Sequence, residues 1–161
     1  MAKFDKLVRL LSAWFANASS ILLLLMFLIS LTDIVGTKAF NLPVPGSFEL
    51  IGFFMAMMIP FAMGLTKQLG RHIKVEIFTD RLPASLKKGI DSTVSLILFC
   101  FFAVLVWQIV LFGLSIRKVG EYSQTLHIHL DYFIFVIAFA LIPACLVSLL
   151  DFLQLLKGYK R

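Results

Sequence analysis

Four stretches, 12–35, 49–69, 94–116 and 130–152, are apolar over twenty or more residues, and none carries an ionisable side chain near its centre. Crossing the roughly 30 Å hydrocarbon layer of a bilayer takes about 20 such residues in a helix. Four crossings use more than half of the 161 residues and leave only short connectors. The spacing predicts an all-α integral membrane protein: four transmembrane helices in a single membrane domain over 1–161. Composition agrees, since 60% of the residues are hydrophobic, against about 45–50% apolar in soluble domains.

Charge orients the helices. Of the fifteen Lys and Arg residues, twelve lie in the amino-terminal segment, the central stretch 67–91 and the carboxyl-terminal segment; three lie in the other two connectors. Basic residues concentrate on the cytoplasmic side of membrane proteins, so both termini are expected in the cytoplasm. The formal charge of +6 does not point to nucleic acid, because the basic residues flank apolar runs, where anionic lipid headgroups lie, and no basic face with interleaved aromatics occurs outside the spans.

The first run follows Lys3, Lys6 and Arg9. It is too long for a signal-peptide core and leads into Asp33-Ile-Val-Gly-Thr-Lys without a small-residue cleavage pattern, so it reads as an uncleaved first helix. Residues 36–47, with Pro43, Pro45 and Gly46, read as an outer loop. In the second run Gly52, Ala56, Pro60 and Gly64 recur every four residues, along one side of a helix. In lipid such a stripe favours close helix packing, within this chain or against a partner, and Pro60 and Pro143 are expected to kink their helices.

The connector 71–91 is too polar to cross, yet Val75, Phe78, Leu82 and Leu86 recur at helical spacing, which predicts an amphipathic helix in the headgroup plane. Pro83 suits the start of a second short helix, with Asp91-Ser-Thr leading into the third crossing. Arg71, His72 and Lys74 form a tight basic cluster, a candidate contact with lipid headgroups or a partner; a solvated topology signal is the plainer alternative.

A search for chemistry finds little. Asp33, Glu49 and Asp131 fall at outer ends of the runs, where water reaches them. Gln108 is expected to make an interhelical hydrogen bond. Cys100 and Cys145 each stand alone in an apolar run and read as small buried hydrophobes. The three histidines lie in connectors, so no haem anchor is offered, and no catalytic or metal-ligand motif occurs. No cofactor is expected.

Gly70-Arg-His-Ile-Lys-Val-Glu76 after the second run and Gly120-Glu-Tyr-Ser-Gln-Thr-Leu-His-Ile128 before the fourth, with the four-helix layout and Glu49 opening the second helix, resemble the small permease subunit of tripartite ATP-independent periplasmic (TRAP) transporters. The resemblance covers nearly the whole chain. It departs from the family pattern at His129, where proline is common, and at Asp131-Tyr132, where tryptophan is expected.

The resemblance implies a bacterial inner-membrane machine made of a periplasmic binding protein, a large sodium-coupled permease and this small subunit. The small subunit would be a non-catalytic scaffold clamping the large permease, and Glu49, Glu121, Tyr122 and Ser123 would face the compartment of the binding protein. By analogy the substrate is an organic acid, a dicarboxylate or a sugar acid such as sialic acid, and the coupling sodium belongs to the large subunit. Two other classes stay open. A self-sufficient carrier or channel should show a charged or broken-helix site at mid-membrane, and an anchor for an oxidoreductase should show cofactor ligands.

Overall fold

The computed structural model describes residues 2–69 and 84–156, with side chains over 6–69 and 89–153. Four helices form: α1 (Ala2–Phe40), α2 (Ser47–Gln68), α3 (Ala84–Val119) and α4 (Leu130–Leu156). Each is long and apolar enough to cross a membrane, and no strand forms among the described residues. Of the expected interfacial segment 71–91, residues 71–83, with Arg71, His72 and Lys74, lie outside the described residues, while 84–91 are the first turns of the continuous helix α3 rather than part of a separate short helix.

Two helices run further than expected. Helix α1 continues through Gly36 and stops where Asn41 takes a left-handed φ of 52°, a conformation asparagine tolerates; there the Leu42 N–H donates to the Gly36 carbonyl at 3.0 Å. The outer loop therefore shrinks to 41–46, where Pro43 and Pro45 prevent further helix. Helix α3 is already formed at Ala84, so Asp91-Ser-Thr lies inside it rather than capping it. The Thr93 hydroxyl bonds back to the Gly89 carbonyl at 3.0 Å, which lets a polar side chain sit in mid-helix. Gly120, at φ 72°, ends α3 in the left-handed conformation that glycine adopts without strain.

Packing makes two antiparallel hairpins, α1–α2 and α3–α4, joined by a parallel contact of α2 with α4. The α2–α4 register is regular: Phe53 stacks on Phe133 at 4.0 Å, Gly64 lies against Pro143, and Lys67 meets Ser148. Helix α1 also reaches α4, through Phe15 and Phe139 at 5.4 Å and through Val8 with Val147 and Leu150. Helix α3 packs mainly on α4, around Phe102, Leu141 and Ala144. The centre is therefore α4, of whose most apolar window 44% is buried, against 6% for α1 and for α3.

Apolar side chains facing outward are ordinary in lipid, and hydroxyls there satisfy themselves: Ser20, Thr32 and Thr66 bond to carbonyls one turn back in their own helices. Two sequence expectations are corrected. Gln108 is exposed and makes no interhelical hydrogen bond among the described residues, because it lies beside Trp107, 66% exposed, away from α4. Cys100 is likewise exposed, and Cys145 only half-buried.

Candidate functional site

Polar chemistry gathers at the two ends of the bundle. At the loop end, Glu49 in the first turn of α2 accepts hydrogen bonds from the Thr125 N–H at 2.9 Å, the Leu126 N–H at 3.2 Å and the Ser123 hydroxyl. A carboxylate is the natural acceptor for converging amide and hydroxyl donors. It ties the α3–α4 connector to the first hairpin across 74 to 77 residues of sequence.

The connector itself is compact. The Ser123 N–H donates to the Ile128 carbonyl at 2.9 Å, the Leu130 N–H to the Glu121 carbonyl at 3.3 Å, and Tyr122 pairs with His129 in a single antiparallel bridge. The Tyr122 and His129 rings lie 4.2 Å apart. Gly46, the residue before α2, must be glycine for two reasons: its φ is 76°, and a Cβ would come within 2.7 Å of the Leu126 side chain. On the first hairpin Asp33 plays a matching part, its Oδ1 accepting the Val44 N–H at 2.9 Å.

Of the residues singled out by sequence, Glu49, Glu121, Tyr122 and Ser123 come together here. With Gly52, Phe53 and Leu130 they line an open groove of about 630 Å³. Ser123 is buried behind Glu49, whereas Tyr122 is 54% exposed. The Glu121 carboxylate is exposed and makes no hydrogen bond among the described residues.

The small-residue stripe divides. Pro60 and Gly64 are buried; a Cβ on Gly64 would lie 3.0 Å from Pro143 Cβ and 3.1 Å from Ser12 Oγ, so α1, α2 and α4 approach closely there. Gly52 and Ala56 are exposed, and nothing lies within 4 Å of a Cβ on Gly52.

At the terminal end a second polar junction involves all four helices. Lys67, only 7% exposed, donates to the Ser148 hydroxyl and lies 5.5 Å from the ring centre of Phe102. The Gln68 amide donates to Ser12 Oγ at 2.9 Å and to the Val8 carbonyl at 3.1 Å. Sequence reading counts Lys67 with the basic connector. Its spacing after Pro60 and Gly64, which keeps it on their face of α2, is the signal that marks it as buried.

Among the described residues no group of three or more His, Cys, Asp or Glu could hold a metal ion. Four apolar helices with polar groups gathered at their ends define a multi-pass membrane protein. A family model, tripartite ATP-independent periplasmic transporters, DctQ component, matches residues 26–158. The chain belongs to this family and is the small component of a TRAP transporter. Comparison with curated proteins and with solved structures gives no match.

Proposed function

We propose that this chain is a non-catalytic, non-transporting scaffold subunit in the bacterial inner membrane, with both termini cytoplasmic. It clamps the large permease subunit and helps to dock the periplasmic binding protein during sodium-coupled uptake of an organic acid, a dicarboxylate or a sugar acid such as sialic acid. The coupling sodium and the substrate are held by the other two components. Family membership supplies the transporter context.

The observation that carries the scaffold reading is where this chain keeps its polar groups. Carriers hold substrate near the midplane with broken helices and ionisable groups. Here Lys67 is closed off between Ser148 and Phe102 at the terminal end of the bundle, and the loop-end carboxylate of Glu49 is occupied in tying down a connector. The exposed amide of Gln108, well inside the α3 span, supports a protein neighbour on that face, because an amide facing lipid lacks hydrogen-bond partners. The groove beside Glu121 and Tyr122 supports a docking role on the loop side.

Reconstitution tests this. Liposomes receive the chain alone, the chain with the large permease, or both with the binding protein, under an inward sodium gradient. Uptake is expected only in the complete set. Gradient-driven uptake by this chain alone, or full uptake without it, would overturn the reading.

A further inference from the structure

Gln108 has a counterpart on the first helix. Asn17 of α1 is also exposed, and neither amide makes a hydrogen bond among the described residues. The helix contacts put the two at one level. The Ser19 hydroxyl bonds to the Met58 carbonyl at 2.8 Å and Phe15 meets Phe61 at 5.2 Å, so Asn17, midway between Phe15 and Ser19, is level with Pro60 of α2. In the parallel α2–α4 register Phe53 lies against Phe133 and Gly64 against Pro143, which brings Pro60 level with Phe139 and Ala140. Helix α3 runs the other way, with Gly113 against Ile134 and Phe135. Five residues back from Gly113 is Gln108, and five residues on from that pair are again Phe139 and Ala140.

That level is deep in the hydrocarbon. Lys67 lies seven residues on from Pro60 and Glu49 eleven residues back, about 10 Å and about 16 Å along the helix, in a layer roughly 30 Å thick. Asparagine and glutamine are too short to reach headgroups from there, as a lysine or arginine does near a helix end. Exposed hydroxyls on α1 satisfy themselves, Ser20 and Thr32 by bonding to carbonyls one turn back. An amide carries two N–H donors and a carbonyl acceptor, more than its own helix satisfies, and it is costly to leave unpaired among lipid tails. In membrane helices such amides bond across to a neighbouring helix, as Gln68 does to Ser12 and Val8.

Each amide lies in the middle of one outward stripe. On α1, Leu10, Trp14, Ile21 and Leu24 flank Asn17 in alternating steps of four and three residues and are 55% to 68% exposed. On α3, Ile97, Phe101, Val104 and Leu111 flank Gln108 in the same steps and are 44% to 62% exposed. Steps of three and four keep a stripe on one side of a helix, the spacing with which one helix lies along another.

The stripes are separate surfaces. Helix α1 packs on α2 and α4, α3 packs on α4, and the two do not pack on each other. A two-fold contact with a second copy uses the same patch on both copies, so it covers one stripe and leaves the other amide in lipid. Of the two components that the scaffold reading sets beside this chain, the binding protein stays outside the membrane, and the large permease alone reaches this depth.

We propose that Asn17 and Gln108 are mid-membrane contact points for the large permease, whose helices lie along the outer faces of α1 and α3 and give each amide its hydrogen-bond partner. The inference rests on the scaffold reading above and adds to it two faces and the residue at the centre of each.

A photoreactive benzophenone side chain placed at Ile21 or at Val104, one turn from each amide, identifies the neighbour in membranes that hold the whole transporter. Both positions should give adducts of this chain with the large permease. Adducts with a second copy, or with lipid alone, at either position would overturn the proposal.

Asn17→Leu and Gln108→Leu, singly and together, should leave the melting temperature of the isolated chain at or above that of the parent, because neither amide is bonded within it. Recovery of the large permease should fall several-fold for each and further for the pair. Asn17→Gln and Gln108→Asn, which keep an amide, should recover it better than the leucine variants. Unchanged recovery with the leucine pair, or a lowered melting temperature of the isolated chain, would overturn the contact. If uptake still requires the chain while the leucine pair assembles like the parent, the scaffold reading stands and this inference alone fails.

Discussion

The Lys67 ammonium donates to the Ser148 hydroxyl across the parallel contact of α2 and α4, beside the ring of Phe102 on α3. Removing the hydroxyl acceptor of a buried charge costs more than removing the charge, because the ammonium then keeps the attraction of the Asp151 carboxylate but loses its hydrogen bond to Ser148. Ser148→Ala is therefore expected to destabilise the purified chain by about 1–3 kcal/mol. Lys67→Met should cost less, and the double variant no more than Lys67→Met alone. Thermal melts of the four proteins in detergent check this; equal or additive losses would show that the contact is energetically idle.

Gly64 and Gly52 should part company. At Gly64 a side chain meets Pro143 and Ser12, so Gly64→Leu forces three helices apart and should lower the melting temperature of the isolated chain. At Gly52 nothing stands within 4 Å, and replacing glycine in a helix gains up to about 1 kcal/mol of propensity. Gly52→Leu should leave the isolated chain as stable as the parent or more so, with any loss confined to the assembled transporter.

Glu49→Ala removes the acceptor shared by Ser123, Thr125 and Leu126. Hydrogen exchange should then quicken at the Thr125 and Leu126 amides while the α4 core around Ala144 keeps its protection. Unchanged exchange at both amides would mean that the connector holds its shape without α2.

Gln108→Leu is expected to leave the fold of the isolated chain intact, since this amide bonds to nothing among the described residues. Recovery of the large subunit should fall. Undiminished recovery would assign the α3 face to lipid.

Labelling from the periplasm should reach Gln124→Cys, on the exposed connector, and not Lys6→Cys near the start of α1. The reverse pattern would invert the orientation drawn from the basic residues.

The four spans are legible in the sequence because lipid demands long apolar runs and little else. Helix ends are not. Gly36-Thr-Lys and Asp91-Ser-Thr look like stop and start signals, yet each lies inside a helix, since propensity costs of under 1 kcal/mol per residue yield to a continuous backbone ladder. The loop-end grouping of Glu49 with Glu121, Tyr122 and Ser123 was accessible through family likeness; the hydrogen bonds that make it were not, because they join residues more than seventy positions apart. Lys67 was obscured by its neighbours, since a lysine at the head of a basic connector reads as a charge in water until the parallel register of α2 with α4 is known.

That parallel register has a consequence for how the protein is made. Eighty-one positions separate Lys67 from Ser148, and at about 5–20 residues per second of synthesis the wait is on the order of 4–16 s. Throughout that interval the first hairpin exists without the groove that receives Gly64 or the hydroxyl that receives Lys67. A lysine without a partner is costly in hydrocarbon, so the carboxyl-terminal end of α2 stays hydrated at the membrane surface until the second hairpin enters. The final depth of α2 is thus set late, by a helix not yet translated when α2 reaches the bilayer.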